Sequence, residues 1–126
     1  MNNSRYEKGL SRFREVFGRD PIGLPGNEDF MTITIEHLFG EIWTRPHLSL
    51  QERELITLTA LAMSRTEKEL KGHMQAALQQ GLAREKIIET MIHLAYYGGW
   101  PVANNGLQIA KQVFAELDAT SQADNM

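Results

Sequence analysis

The sequence feature that most constrains the fold is a helix-start pattern that occurs three times. In S/T-x-x-E, the side chains of the first and fourth residues each accept a hydrogen bond from the other residue's backbone N–H, which satisfies donors that a helix start leaves unpaired. The pattern precedes helically spaced apolar residues at Ser4 with Glu7, Ser49 with Glu52, and Thr66 with Glu69. No stretch alternates convincingly between apolar and polar residues. The sequence therefore predicts an all-α fold.

Glycine and proline positions divide the chain into six predicted helices. Their spans are residues 4–17, 28–39, 49–63, 66–80, 84–97 and 101–118. Residues 19–27 contain two prolines and two glycines and are predicted to form a loop. Residues 1–126 are predicted to form one domain, with frayed ends at residues 1–3 and 119–126.

The spacing of apolar residues predicts which side of each helix packs inward. Core positions are expected at Phe30, Ile33 and Leu38 in the second helix, at Leu70, Met74, Ala77 and Leu78 in the fourth, and at Ile88, Met91, Ile92 and Ala95 in the fifth. After Glu54 the third helix is apolar on nearly every side. A small domain has little room for a fully buried helix, so we expect another subunit to cover part of this surface.

The absence of cysteine and a mild negative charge exclude several functions. The chain has 126 residues, no cysteine and a formal charge of -3. Without cysteine there is no disulfide, thiolate nucleophile, thiol peroxidase chemistry or Cys-ligated metal. The charge gives no basic surface for nucleic acid, and no apolar run reaches the roughly 18 residues of a membrane span. The start lacks the apolar core of a signal peptide, so a cytoplasmic location is expected.

Two of the four histidines lie where chemistry is plausible, and no pair has the i, i+4 spacing of a helical metal site. We therefore predict no metal. His73 follows Leu70 by three residues and precedes Ala77 by four, so it points toward the apolar side of its helix. It is either a core-edge histidine bonded to a backbone carbonyl or a working group. Gly72, inside the same helix, would be explained by close approach of a neighbour or a ligand.

The second histidine, His93, lies on a polar and aromatic side of the fifth helix, with Glu89, Tyr97 and Trp100. This side is either a solvated surface with a weak Glu–His pair or, given its aromatic area, a cleft wall or subunit interface.

Two further positions combine charge with apolar surroundings. Trp43 and Arg45 belong to W-T-R-P, and an arginine beside an aromatic ring can grip a carboxylate with both arms of its guanidinium. The alternative is a surface arginine packed on tryptophan. Glu54 begins the apolar part of the third helix, so its carboxylate is expected to be partly buried and to need a donor.

The order and spacing of several short pieces resemble the carboxymuconolactone decarboxylase family. These pieces are W-T-R-P, L-I-T-L-x-A-L, E-L-K-x-H, A-L-x-x-G and I-H-L-A-Y-Y-G-G-W-P, and the N-terminal SRYEKGLSRFREVFG is also similar to the γ-carboxymuconolactone decarboxylases. The resemblance covers nearly the whole chain. It implies a six-helix, alkyl hydroperoxidase D-like domain that assembles into a ring-shaped homotrimer or homohexamer.

A redox branch of this family carries a Glu, then C-x-x-C-x-x-x-H. In that alignment the Glu falls on Glu54 and the histidine on His73, but the two cysteines fall on Thr66 and Glu69. Hydroperoxide reduction by that route is excluded, and the cysteine-free pattern is that of the decarboxylase branch.

The resemblance implies decarboxylation of γ-carboxymuconolactone to β-ketoadipate enol-lactone, in protocatechuate catabolism, without metal or organic cofactor. His73 is the expected general acid, Glu54 its orienting partner, and His93 a donor to the developing oxyanion. Arg45, with Arg65 as second choice, is expected to bind a substrate carboxylate. The apolar walls are expected from Trp43, Trp100 and Tyr97.

Two alternatives stay open at this stage. One is another cofactor-free enzyme acting on a different small lactone or acid. The other is a non-catalytic oligomeric binding protein that keeps the same fold. Neither alternative involves nucleic acid or a membrane.

Overall fold

The computed structural model describes residues 4–23 and 26–124. Their six α-helices are α1 (Ser4–Phe17), α2 (Glu28–Ile33), α3 (Leu50–Ser64), α4 (Glu67–Gln79), α5 (Arg84–Gly98) and α6 (Trp100–Asp124), and a π-helical segment, Thr34–Ile42, continues α2. No strand occurs among these described residues, so the all-α prediction is confirmed. The chain comprises two compact units, Met1–Arg53 and Glu54–Met126. The prediction of a single domain stays a prediction.

In the first unit, α1 packs closely on the π-helical segment at two glycines. A Cβ at Gly9 would overlap the carbonyl oxygen of Ile35, and a Cβ at Gly40 would lie 3.3 Å from the carbonyl oxygen of Arg5. A side chain therefore does not fit at Gly9, and one at Gly40 would make an unusually tight contact. The two backbones can therefore approach within direct contact.

The π-helical segment explains two wrong predictions. The backbone N–H of Trp43 donates to the carbonyl of Leu38 at 2.9 Å, an i to i−5 bond, so the helix continues past Gly40 rather than ending near Phe39. Within this segment the wider turns change which side faces inward, and α2 before it contributes no buried residue. Ile35, Phe39 and Gly40 are buried, whereas the predicted core residues are exposed: Phe30, Ile33 and Leu38.

Aromatic rings fill the core of the first unit. The ring centroid of Phe39 lies 5.0 Å from that of Phe13 in an edge contact and 5.7 Å from that of Trp43 in a stacked one. Trp43 itself is buried. Such ring pairs add packing energy of about 0.5–1.5 kcal/mol each to the area they bury.

The second unit has one apolar core to which every helix contributes. Its buried residues come from α3 (Leu58, Ala62), α4 (Leu70, Met74, Ala77), the following turn (Leu82), α5 (Ile87, Met91, Leu94) and α6 (Val102, Ile109, Ala110, Val113). The predicted α4 stripe is confirmed at three of its four positions, and Leu78 is half-buried against the core.

The buried stripe of α5 is rotated from the predicted one. Met91 is buried as expected, but its buried companions are Ile87 and Leu94, and Ile92 is exposed. The tail prediction also differs from the structure, because α6 extends to Asp124 and makes residues 119–124 helical. The fraying predicted for residues 1–3 and 125–126 falls outside the described residues, as do residues 24–25 of the predicted loop.

Within residues 4–23 and 26–124, no helix has both the length and the hydropathy needed to cross a membrane.

Candidate active site

The start of α3 places a carboxylate where water cannot reach it. Ser49 and Glu52 form the predicted capping box: the Glu52 N–H donates to Ser49 Oγ at 3.0 Å, and the Ser49 N–H donates to Glu52 Oε1 at 2.8 Å. Two residues later, within the second unit, Glu54 has 0% exposure. A carboxylate withdrawn from water this completely is costly unless donors satisfy its oxygens.

His73, on α4, supplies one of these donors. Its Nδ1 lies 2.9 Å from Glu54 Oε1, and its side chain retains 16% exposure. When Glu54 is ionised its oxygens only accept hydrogen bonds, and Nδ1 is then the donor of this pair. The ring is thereby held in one orientation, with Nε2 on its opposite edge. The structure brings together the two residues that the sequence predicted as general acid and orienting partner.

Gln80, which the sequence analysis missed, supplies the other donor. Its Nε2 donates to Glu54 Oε2 at 2.9 Å. The residue lies at the C-cap of α4, where the Leu82 N–H bonds the Ala77 carbonyl and the Gly81 N–H bonds the Leu78 carbonyl, both at 3.0 Å. This Schellman motif requires a left-handed residue, and Gly81 has φ 96°.

The turn before α4 departs from the predicted capping box. Thr66 occupies the N-cap position, but its hydroxyl donates to the Leu61 carbonyl at 3.2 Å and makes no cap bond. Arg65 is exposed and has φ 58°, which is uncommon outside glycine. Gly72 is not explained by close packing, since a Cβ there would meet no described atom within 4 Å.

His93 lies in a different environment, on a groove between α3 and α5. The groove has a volume of about 470 Å³, and its lining includes Leu55, Thr59, Lys86 and Glu89 but not His73. The His93 ring is exposed.

Aromatic rings extend from this groove along α5. His93 stacks on Tyr97 with a centroid distance of 5.0 Å. Tyr97 is 77% exposed, and Trp100, 64% exposed, makes an edge contact with Tyr96 at 5.6 Å. We call His93, Tyr96, Tyr97 and Trp100 the aromatic face.

The remaining predicted binding residues lie in the first unit. Trp43 is a core residue there, stacked on Phe39. Arg45 is exposed, and its carbonyl accepts a 2.9 Å hydrogen bond from Arg53 Nη2. A carboxylate-binding role for the Arg45 side chain stays a prediction.

Charged pairs on the surface differ from the Glu54 pair. Arg84 on α5 donates to Asp118 on α6 from Nη2 at 2.6 Å and from Nη1 at 3.3 Å, and this hydrogen bonding lowers the pKa of Asp118. In the first unit, a hydrogen bond from His37, and to a smaller extent one from Arg5, lowers the pKa of Glu41.

Among the described residues, no cluster of three or more His, Cys, Asp or Glu side chains could hold a metal ion.

Comparison with known proteins gives the family. The sequence profile of the carboxymuconolactone decarboxylase family matches residues 28–112. The chain belongs to this family. It is 30% identical, over 132 aligned residues, to a 4-carboxymuconolactone decarboxylase from Acinetobacter baylyi, covering 99% of this chain and 98% of that protein.

Two further relatives are less similar in sequence or align over a smaller part of the chain. A nitrosuccinic acid decarboxylase from Metarhizium robertsii is 24% identical over 93% of this chain and 86% of its own length. An uncharacterized 15.0 kDa protein from Paracoccus denitrificans is 31% identical over 67% of this chain and 64% of its own length. Relatives named as decarboxylases therefore align over most of this family member.

In this carboxymuconolactone decarboxylase family member, the buried pair is suited to proton transfer. The carboxylate of Glu54 holds the imidazole of His73 in one orientation and can stabilise its charged form. Gln80 could have been found from the sequence, because Gly81 marks the helix end and Gln80 lies seven residues, about two turns, after His73.

Proposed function

We propose that the protein is a cofactor-independent decarboxylase that converts γ-carboxymuconolactone to β-ketoadipate enol-lactone. The observation that carries the proposal is the Glu54–His73 pair, a proton-transfer group built around a fully buried carboxylate in a chain with no cysteine. The similarity to 4-carboxymuconolactone decarboxylase over nearly the whole chain supports the choice of substrate.

The substrate supplies its own electron sink. It is a butenolide whose γ carbon bears the carboxylate that is lost, together with an acetate arm. When the bond to that carboxylate breaks, carbon dioxide leaves and the electron pair moves through the ring double bond onto the lactone carbonyl oxygen. The resulting dienolate takes one proton at the α carbon, which gives the enol-lactone. The protein must hold two carboxylates, stabilise an oxyanion and deliver one proton.

Each of these tasks is assigned to a named residue. His73 delivers the proton from Nε2, while Glu54 fixes the ring and stabilises its charged form. His93 donates to the developing oxyanion. Arg45, or Arg65 in second place, binds a substrate carboxylate through its guanidinium.

The aromatic residues form the apolar part of the site. Tyr97 and Trp100 are assigned as its walls, which favour expelling a charged carboxylate as neutral carbon dioxide, whereas burial in the first unit's core removes the role expected for Trp43.

A second candidate substrate class comes from the nitrosuccinic acid decarboxylase relative. In a nitro acid, the nitro group can take up the electron pair left by carbon dioxide, as a nitronate, and the carbon then needs one proton. The same histidine would serve this reaction. The shared requirement is an acid that carries an electron sink conjugated to the carbon that loses its carboxylate.

The direct test adds enzymatically generated γ-carboxymuconolactone to the purified protein and follows loss of the lactone together with carbon dioxide release. His73→Gln is expected to lower kcat by on the order of 10²-fold or more, because the general acid is lost. His37→Gln is the matched control, since His37 is an exposed histidine of the first unit bonded to Glu41, and it should keep wild-type turnover.

The outcomes separate the alternatives. Wild-type-like turnover by His73→Gln would remove the proton-donor assignment. Turnover of nitrosuccinate, but not of γ-carboxymuconolactone, would favour the second substrate class. Turnover of a different lactone instead would favour another cofactor-free enzyme on the same fold. Ring assembly without activity on any such acid would favour a binding protein.

A further inference from the structure

Gln80 completes the hydrogen bonding of the buried carboxylate. Glu54 accepts from His73 at Oε1 and from Gln80 at Oε2, each over 2.9 Å. Donors on both oxygens fix the plane of the carboxylate, and that plane sets the direction in which the imidazole is held. These bonds connect the amide of Gln80, the carboxylate of Glu54 and the imidazole of His73.

The chemistry of the second donor matters as much as its position. A lysine or arginine at Oε2 would neutralise the carboxylate and compete with the imidazolium for its charge. An amide N–H stabilises the ionised carboxylate and adds no charge. The negative charge of Glu54 therefore remains available to an imidazolium at His73.

The backbone holds Gln80 in place independently of any ligand. The Schellman motif after α4 fixes Gln80 at the C-cap, with Gly81 in the left-handed conformation. The side chain thus starts from a rigid helix end, about two turns beyond His73.

We propose that Gln80 is a positioning residue for the decarboxylation: it orients Glu54 and so sets the orientation of the His73 ring. This inference rests on the proposed function. It assigns Gln80 no contact with the substrate, so its loss should lower kcat and leave KM nearly unchanged.

The test uses two substitutions at position 80 and one matched control. Gln80→Leu removes the donor and should lower kcat by about tenfold or more at every pH, the scale of one hydrogen bond to a charged group. Gln80→Glu can donate only while the introduced carboxyl keeps a proton. Gln79→Glu, the same change at the exposed neighbouring residue, should behave as wild type at every pH.

The pH dependence distinguishes positioning from a merely structural role. Two carboxyl groups in contact do not ionise together easily, so the introduced group in Gln80→Glu shares a proton with Glu54 at low pH. There it donates to Oε2 as the amide does, and kcat relative to wild type should be highest. As pH rises and the second carboxylate forms, the kcat ratio should fall by about tenfold or more. The ratio for Gln80→Leu should stay flat.

A measurement without turnover separates this inference from the proposed function. The hydrogen-bonded Nδ1 proton of His73, identified in the NMR spectrum by its loss in His73→Gln, should shift or broaden in Gln80→Leu and stay unchanged in Gln79→Glu. If the wild type decarboxylates no substrate, the proposed function fails while the NMR result still tests the network. An unchanged Nδ1 signal, or a flat kcat ratio for a folded Gln80→Glu, would overturn the role of Gln80. If Gln80→Leu does not fold, Gln80→Glu decides alone.

Discussion

His73 and His93 belong to the same unit, yet their surroundings differ in almost every respect. His73 retains 16% side-chain exposure and bonds a fully buried carboxylate, whose other oxygen is bonded by Gln80. His93 is exposed, lines an open groove and stacks on Tyr97. The His73 ring is held by a hydrogen bond to Glu54. The His93 ring is held by stacking on the exposed ring of Tyr97.

The difference indicates that His73 has the partners it needs for proton transfer within the second unit. Proton transfer needs a ring held in one orientation, and Glu54, His73 and Gln80 supply this within the second unit. The aromatic face presents several large rings to its surroundings, and aromatic area of this kind is characteristic of interfaces and ligand clefts. We therefore expect substitutions near His73 to change catalysis, and we expect Trp100, proposed above as an apolar wall of the site, to contribute to assembly as well.

The largest effect is expected from Glu54→Gln. The introduced amide can donate its N–H to His73 Nδ1 and accept from Gln80, so the fold should survive. The neutral imidazole would then carry its proton on Nε2 and lose the carboxylate that stabilises its charged form. We predict that kcat falls by on the order of 10²-fold or more, measured as loss of the lactone.

The matched control is Glu89→Gln, the same substitution four residues before His93 on the groove. An exposed glutamate contributes a few tenths of a kcal/mol at most to such a pair, so kcat should change by less than about threefold. Equal losses of kcat in Glu54→Gln and Glu89→Gln would contradict the proposed difference between His73 and His93.

A smaller effect is expected from Trp100→Ala on assembly. The predicted homotrimer or homohexamer needs a surface to bury, and Trp100 belongs to the largest group of exposed rings in the described chain. Removing a central aromatic residue from an interface commonly costs more than 1 kcal/mol. We predict that the subunit dissociation constant, from light scattering or sedimentation, rises about tenfold.

Ile22→Ala is the control for this prediction, because Ile22 is 74% exposed but lies in the first unit. It should leave the dissociation constant unchanged. A wild-type protein that is monomeric at micromolar concentration would contradict both the ring prediction and the assignment of the aromatic face to assembly.

Local signals in the sequence predicted the helices better than they predicted which residues are buried. The Ser49–Glu52 box and the stop at Gly81 depend on a few adjacent residues, and both form as expected. Inward-facing positions depend on the packing partner. The close crossing at Gly9 and the π-helical turns bury Ile35 in place of Ile33, and no periodicity of 3.6 residues anticipates that change.

Prediction of the candidate site from the sequence is limited in the same way, because it also depends on how the helices pack. Helical spacing placed His73 beside its apolar stripe, but its partner lies 19 residues earlier on another helix. Pairing across helices depends on how those helices pack, and only the family resemblance related Glu54 to His73. Gln80 was missed because a glutamine near a helix end is most often a solvated residue.

The smallest expected effect concerns an ion pair that is exposed on both sides and therefore contrasts with the buried Glu54–His73 pair. Arg84 bonds Asp118 across α5 and α6, with side-chain exposures of 41% and 57%, and this bonding lowers the pKa of Asp118 in the folded protein. A lowered folded pKa means that the pair stabilises the fold above the unfolded pKa, near 3.9, and that this contribution disappears as pH falls through the folded value. The difference in unfolding free energy between wild type and Asp118→Asn, from urea denaturation, should be small at pH 7 and vanish in acid, with kcat unchanged. A difference that grows as the pH falls would contradict the assigned sign, and a change in kcat would mean that this exposed pair, like the buried one, acts on the site.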